Sequence, residues 1–132
     1  MRIFLDTNVL ASALTTRGLC AELFEVVLQS HDLLISEAVF RELQRILPEK
    51  LGQTEAITNG FIALLRAEGQ VITAEHSFPK LPDPDDETIL AAALAGNANV
   101  FVTGDKALLN LESVEGLPII TPRGLWESLA NE

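Results

Sequence analysis

Cysteine and long hydrophobic runs are both scarce in this chain. Cys20 is the single cysteine among 132 residues, which excludes an internal disulfide and a thiolate metal cluster. No apolar run approaches the roughly 20 residues of a membrane-spanning helix. The apolar residues after Arg2 are interrupted at Asp6, unlike the hydrophobic core of a signal peptide. These absences predict a soluble cytoplasmic protein with no membrane association.

Basic residues are scarce as well. The chain has 9 Lys and Arg against 19 Asp and Glu, a formal net charge of -10. Because nucleic-acid-binding surfaces are usually basic, this balance by itself argues against a nucleic-acid binder. The argument weakens if several acids share a metal site, since bound divalent cations cancel their charge and bridge to phosphate.

The residues that are present predict one folded domain over residues 1–132, because 48% of them are hydrophobic. Short buried-strand patterns alternate with helical patterns throughout. The predicted strands are 2–5, 32–36, 70–73, 99–103 and 117–121. This alternation predicts an α/β fold, a three-layer α/β/α sandwich with a parallel sheet of four to five strands in the order 3-2-1-4-5.

Several helix boundaries can be assigned from capping residues and prolines. Ser36 is placed to cap a helix from Glu37 to Leu47, which Pro48 would stop. Thr54 is placed to cap the next helix, and Pro122 to open the last. The helix after the acidic run is predicted from Thr88 to Ala95, and neither His31 nor His76 has a partner at metal-ligand spacing.

Two acids stand where an acid is unexpected. Asp6 follows the first strand directly, where a carboxylate is costly to desolvate unless a cation or several donors meet it. It is either a site residue or a helix N-cap. Glu42 falls on the apolar face of its predicted helix, between Ala38 and Ile46 on the helical wheel. It either belongs to a site or reaches past the rim of the face to water or an arginine.

Further acids surround the fourth strand. The run from Asp83 to Glu87 precedes a helix, where acids favour the helix dipole, although the dipole explains one or two acids more easily than four. Asp105 follows the fourth strand as Asp6 follows the first. In the predicted order these two strands are neighbours at the topological switch point, so Asp6 and Asp105 should lie side by side.

Clustered carboxylates raise one another's pKa and need cations to stay ionised together. Carboxylate and water ligands suit Mg²⁺ or Mn²⁺, and such a site can activate water and stabilise a leaving oxyanion in phosphodiester hydrolysis. Asn8 and Thr103 are placed to hold a ligand oxygen or to orient a carboxylate.

These motifs carry a resemblance that extends over essentially the whole chain. The segments 5–10, 39–43, 83–86 and 102–105, and the closing 119–122, together resemble the PIN-domain family in order and spacing. Within that family the chain is most similar to the toxin components of prokaryotic type II toxin–antitoxin pairs. Each motif alone is weak, whereas the ordered set is specific.

The resemblance implies a Mg²⁺- or Mn²⁺-dependent endoribonuclease that acts on single-stranded or structured RNA. It also implies restraint by a cognate antitoxin protein and assembly as a homodimer or higher even oligomer. The family's acidic positions, catalytic and metal-binding, fall on Asp6, Glu42, Asp86 and Asp105, with Asp83 as a second candidate for the third position. Asp85 and Glu87 are expected to be solvated.

Other interpretations remain open at this stage. A haloacid-dehalogenase-type phosphatase needs a second Asp where Asn8 stands, and a response-regulator receiver needs an acidic pair where Asp6 stands alone. The stronger alternative is a catalytically weak PIN-like interaction module whose acidic pocket binds a basic partner segment. Arg41, Arg45 and Lys50 lie at roughly helical spacing and are either phosphate contacts or a solvated face.

Overall fold

The computed structural model describes residues 1–73 and 80–132, and its centre is a six-stranded sheet with the order β3-β2-β1-β4-β6-β5. The strands are β1 Arg2–Leu5, β2 Asp32–Ser36, β3 Gln70–Ile72, β4 Val100–Val102, β5 Ser113–Val114 and β6 Leu117–Ile120. Neighbouring strands are parallel from β3 to β6, and β5 pairs antiparallel with β6. The predicted α/β fold and strand order are confirmed, with the predicted fifth strand appearing as β6.

The described residues contain seven helices, which connect the strands. They are α1 Thr7–Thr15, α2 Leu19–Ser30, α3 Glu37–Glu49, α4 Glu55–Glu68, α5 Pro84–Ala95, α6 Lys106–Leu109 and α7 Pro122–Ala130. Helix α1 packs on α2 and α3, while α5 packs on β2 and α3. None of the helices in the described residues is long and apolar enough to cross a membrane.

The core lies along the central strands, which read as apolar runs because both faces of a parallel sheet are covered. Phe4 of β1 and Phe101 of β4 are fully buried, and their rings stack at 5.3 Å between centroids. This packing holds together the two strands whose carboxyl ends carry Asp6 and Asp105.

Most predicted helix boundaries agree with the structure. The Ser36 hydroxyl accepts a hydrogen bond from the Val39 N–H, and the Thr54 hydroxyl accepts one from Ile57. Helix α7 begins at Pro122 as expected. The sequence also predicts an irregular, proline-containing loop from Ala74 to Pro84 after the third strand, and most of this loop, with His76, lies outside the described residues.

Two helix boundaries and one additional strand differ from the predictions. Helix α3 passes through Pro48 to Glu49 because the Lys50 N–H still bonds to the Ile46 carbonyl, so the proline removes one hydrogen bond without ending the last turn. Helix α5 begins at Pro84 instead of Thr88, since Asp83 caps it and proline suits a first helical position. The two-residue strand β5 was not predicted, because so short a strand has no hydrophobic pattern.

Candidate active site

Asp6 lies at the carboxyl end of β1 and is the N-cap of α1, so the cap role is observed together with deep burial. Its backbone N–H donates to the Val102 carbonyl at 2.9 Å, which fixes it against β4. The side chain is only 6% exposed. Its Oδ1 accepts from the Thr7 N–H and its Oδ2 from the Thr103 hydroxyl, each at 2.8 Å.

Burial raises the pKa of Asp6 from 3.8 to about 6. The hydrogen bonds from Thr103 and Thr7 oppose that shift, because they stabilise the charged form, whereas the charges of Glu42 and Asp105 add to it. Asp6 is therefore a buried carboxylate with like charges near it and donors on both of its oxygens.

Thr103 links the ends of β1 and β4. This fully buried residue donates its hydroxyl proton to Asp6 and accepts a hydrogen bond from the Asp105 N–H at 3.0 Å. Asn8 bridges the same strands at the surface, since its Oδ1 accepts from the Gly104 N–H at 3.0 Å. The Asn8 amide nitrogen lies 3.3 Å from the Thr103 hydroxyl oxygen. Thr103 thus orients a carboxylate, while Asn8 is exposed beside it.

Glu42 is half-buried on α3, on the side of the helix that packs against α1. The Thr7 hydroxyl donates a hydrogen bond to Glu42 Oε1 at 2.5 Å. Thr7 is itself buried, and the sequence analysis did not identify it as a site residue. The available signal was a hydroxyl at the first helical position directly after Asp6, although its partner on α3 could not be identified from the sequence.

Asp83 and Asp86 have different environments. Asp83 is exposed and accepts a hydrogen bond from the Asp85 N–H at 2.9 Å, as the N-cap of α5. Asp86 is half-buried, and its burial raises its pKa from 3.8 to about 6, with the neighbouring Asp83 charge adding to the shift. The charges of Asp105, Asp6 and Glu42 act on Asp86 in the same direction.

We call Asp6, Glu42, Asp86 and Asp105 the acidic cluster, because each of the other three acts electrostatically on Asp86. No described Lys or Arg forms an ion pair with any of its members; the salt bridge found in residues 1–73 and 80–132 joins Arg66 to Glu37. In the same residues, no three His, Cys, Asp or Glu side chains stand close enough to hold a metal ion together. The potential metal ligands of the acidic cluster are nonetheless carboxylate oxygens, which suit Mg²⁺ and Mn²⁺.

Two cavities flank the acidic cluster. One, of about 160 Å³, lies between α3 and α5 and is lined by Glu42, Arg41, Arg45 and Asp85, among others. The second, of about 440 Å³, is lined by Asn8, Gly104 and Asp105 on the other side, together with Cys20. Glu42 faces the first cavity and Asp105 the second, so the cluster lies between two open depressions.

The fold and the cluster define an α/β protein with a carboxylate-rich site at the carboxyl edge of a parallel sheet. The chain belongs to the PIN-domain family, whose model, described as "PIN domain", matches residues 2–107. No curated protein sequence matches the chain.

The fold is shared with several solved structures. A chain of VapBC2 from Rickettsia felis, solved with a DNA fragment from its promoter, is 17% identical over 92% of this chain and 98% of that one, at a TM-score of 0.68. A chain of VapBC-1 from nontypeable Haemophilus influenzae is 19% identical over 93% of this chain and 99% of that one, at a TM-score of 0.62. The PIN domain endonuclease Utp24 is 20% identical over 91% of this chain and 84% of that one, at a TM-score of 0.54. At these identities the matches establish a shared fold.

Proposed function

We propose that this protein is a Mg²⁺- or Mn²⁺-dependent endoribonuclease and the toxin of a toxin–antitoxin pair, acting in the cytoplasm on RNA. The observation that carries the proposal is Asp6, a carboxylate that is 6% exposed and surrounded by like charges. Burying the charged form of Asp6 among like charges costs free energy of folding, and a bound cation would offset that cost, which supports a metal site. Membership of the PIN-domain family and the fold shared with Utp24, a PIN domain endonuclease, support a nuclease.

The acidic cluster supplies the residues that would hold the metal, with the exposed Asp83 as a supplementary ligand. We favour Asp86 over Asp83 as the principal acid of α5, because Asp86 is half-buried and coupled to the rest of the cluster. A bound divalent cation would lower the pKa of a water nucleophile and stabilise the oxyanion that leaves when the phosphodiester breaks.

The remaining polar residues have supporting roles in this proposal. Thr103 and Thr7 orient Asp6 and Glu42 through the hydrogen bonds described above, as outer-shell donors orient metal ligands generally. The exposed Asn8 is the neutral side chain best placed to meet a phosphate oxygen of the substrate, because its amide nitrogen makes only long hydrogen bonds, at 3.3 and 3.4 Å.

The proposed partner is an antitoxin protein with a basic segment. Two structures that share this fold are VapBC complexes, and the net charge of -10 favours association with Arg- or Lys-bearing chains. The same charge supports the second candidate function, a PIN-like interaction module that binds a basic segment but turns RNA over poorly. An antitoxin occupying the acidic cluster would make the two functions compatible.

Cleavage of a labelled single-stranded RNA tests the proposal. Purified protein is incubated with RNA, and separately with DNA of the same sequence, with Mn²⁺ or Mg²⁺ and with EDTA. We expect metal-dependent RNA cleavage that Asp6→Asn abolishes. Asp32→Asn is the matched control, because it removes the same charge from an exposed residue at the opposite end of the parallel strands. Metal binding without cleavage by the wild type would favour the interaction module.

A further inference from the structure

The cavity between α3 and α5 contains two arginines beside an acid of the cluster. Arg41 and Arg45 are one helical turn apart on α3 and flank Glu42 in sequence, and all three line the cavity with Asp85. Its volume of about 160 Å³ is roughly half the lower limit of small-molecule pockets, about 300 Å³. It therefore suits a small charged group better than a nucleoside or a drug-sized ligand.

Neither arginine has a hydrogen-bonded partner in the part of the chain that the structure describes, and Arg41 acts on Glu37 only through its charge, which adds to the hydrogen bond from Arg66 in lowering the pKa of that carboxyl. Arg41 and Arg45 are exposed and form no hydrogen bond or ion pair there. By contrast, Arg66 binds Glu37 through two hydrogen bonds. Arg2 donates two hydrogen bonds to the Gly96 carbonyl. Two available guanidinium groups therefore stand together on an otherwise acidic protein, next to its most acidic region.

The positions of the two cavities indicate a path for a polyanionic chain. Glu42 lines the first cavity and Asp105 the second, so a strand crossing the acidic cluster passes over both. No Lys or Arg lines the second cavity, whereas Arg41 and Arg45 both line the first, so the α3 side of this path has the two cationic side chains that face a cavity beside the cluster. Arginine suits phosphate because its planar donors bind two oxygens at once.

We infer that Arg41 and Arg45 form a phosphate-binding subsite for the backbone of a single-stranded nucleic acid, next to the phosphodiester that the acidic cluster would hydrolyse. This inference rests on the proposed function and identifies how so acidic a protein holds its substrate. Lys50 is excluded from the subsite, because it is the C-cap of α3 and does not line the cavity. Lys50, which the sequence analysis grouped with Arg41 and Arg45, therefore lies outside the cavity that the two arginines line.

Binding of a fluorescein-labelled single-stranded RNA, followed by fluorescence anisotropy at several salt concentrations, tests the subsite. All variants carry Asp6→Asn and are measured with Mg²⁺, so that cleavage does not intervene. Each phosphate contact on a single strand contributes about 0.7 to the slope of log K against log salt. We expect Arg41→Gln with Arg45→Gln to reduce the slope by about 1.4 and to raise Kd about 25-fold at 0.1 M salt.

Two controls separate charge from structure. Lys50→Gln removes a charge from the same helix outside the cavity and is expected to leave Kd and the slope unchanged. Arg41→Lys with Arg45→Lys retains both charges and should restore the slope, although with weaker binding. A double Gln variant whose Kd and slope equal those of Lys50→Gln would overturn the subsite, as would a failure of the parent Asp6→Asn protein to bind RNA at low salt.

Cleavage assays use proteins that retain Asp6, with and without the arginine substitutions. They distinguish a failure of the phosphate-binding subsite from a failure of the proposed nuclease function. If RNA is cleaved with Mn²⁺ but KM is indifferent to the arginines, the subsite is wrong and the nuclease function stands. If binding depends on the arginines but no RNA is cleaved, the nuclease function fails and the subsite stands. If the nuclease function and the subsite are both correct, the variant with Arg41→Gln and Arg45→Gln should have a raised KM and should largely retain kcat.

Discussion

The Thr7 hydroxyl and the Glu42 carboxylate are joined by a 2.5 Å hydrogen bond between the start of α1 and the middle of α3. Thr7 also donates its backbone N–H to Asp6. One small residue therefore contacts two acids from different parts of the chain, and its burial leaves it few alternative positions. Thr7 is therefore a residue that positions the acids of the candidate site.

Replacing Thr7 by Val keeps the shape of the side chain and removes the hydroxyl. We expect Mn²⁺ affinity, measured by calorimetry, to fall by about 10-fold or more, as for the loss of other outer-shell donors. Thr7→Ser keeps the hydroxyl and should retain most of the affinity. Equal Mn²⁺ affinity in the Val and Ser variants would mean that the hydrogen bond does not position Glu42.

Divalent metal should stabilise the folded protein. Mn²⁺ at a free concentration one hundred times its Kd is expected to add about 2.7 kcal/mol to the free energy of unfolding, since it binds the folded state by mass action. Thermal melting with and without Mn²⁺ measures the effect. Asp6→Asn should lose most of the increase and Asp32→Asn should keep it. A melting temperature indifferent to millimolar Mn²⁺ and Mg²⁺ would count against a metal site.

Acidification should stabilise the metal-free protein through Asp6. Its pKa is raised from 3.8 to about 6 in the folded state, so the folded state binds the proton more tightly than the unfolded chain does. The penalty of the charged form is fully present above pH 6 and disappears as the pH falls towards 4. Each pKa unit corresponds to about 1.4 kcal/mol, which predicts a gain of about 3 kcal/mol relative to Asp6→Asn.

Urea denaturation in EDTA at pH 7 and pH 4.5 measures about 2 kcal/mol of this gain, as the change in the stability difference between wild type and Asp6→Asn, because the rest is gained only below pH 4.5. Asp86, whose pKa is also raised to about 6, contributes in the same direction but less, because it is half-exposed to solvent screening. A stability difference that is constant between these pH values would show that Asp6 titrates normally.

Self-association is expected through α4. Ile57 and Leu64 are 47% and 41% exposed, and their spacing of seven residues places them on one face of that helix. Trp126 of α7 is partly buried against the core and is therefore not part of this surface. Light scattering should give a homodimer or higher even oligomer for the wild type and a monomer for Ile57→Glu with Leu64→Glu.

Ala63→Glu, on another side of α4, is the control for the added charge and should leave the assembly intact. A wild type that is monomeric at every concentration would remove this prediction without affecting the proposed chemistry.

The parts of the fold that follow from local chemistry were predictable. Hydrophobic runs define the strands, and the crossover and switch-point rules then place Asp6 beside the strand that carries Asp105. Caps such as Thr54 depend on one side chain and a neighbouring N–H, so residue type and spacing suffice to find them.

The parts that depend on distant partners were not predictable. The Thr7–Glu42 hydrogen bond spans 35 positions and requires the packing angle between α1 and α3. Burial of Asp86 depends on how α5 meets its neighbours, so the sequence left Asp83 and Asp86 as alternatives. The separation of Arg41 and Arg45 from Lys50 requires knowledge of where α5 lies.

The shortness of the two outermost strands has a consequence for how copies of the protein meet. At one border of the sheet β3 has three residues, and at the other β5 has two. A border this short offers few unpaired N–H and C=O groups on which a foreign strand could add. Strand-by-strand polymerisation is thereby disfavoured, so a homodimer of the kind expected above would form through side chains on the helices.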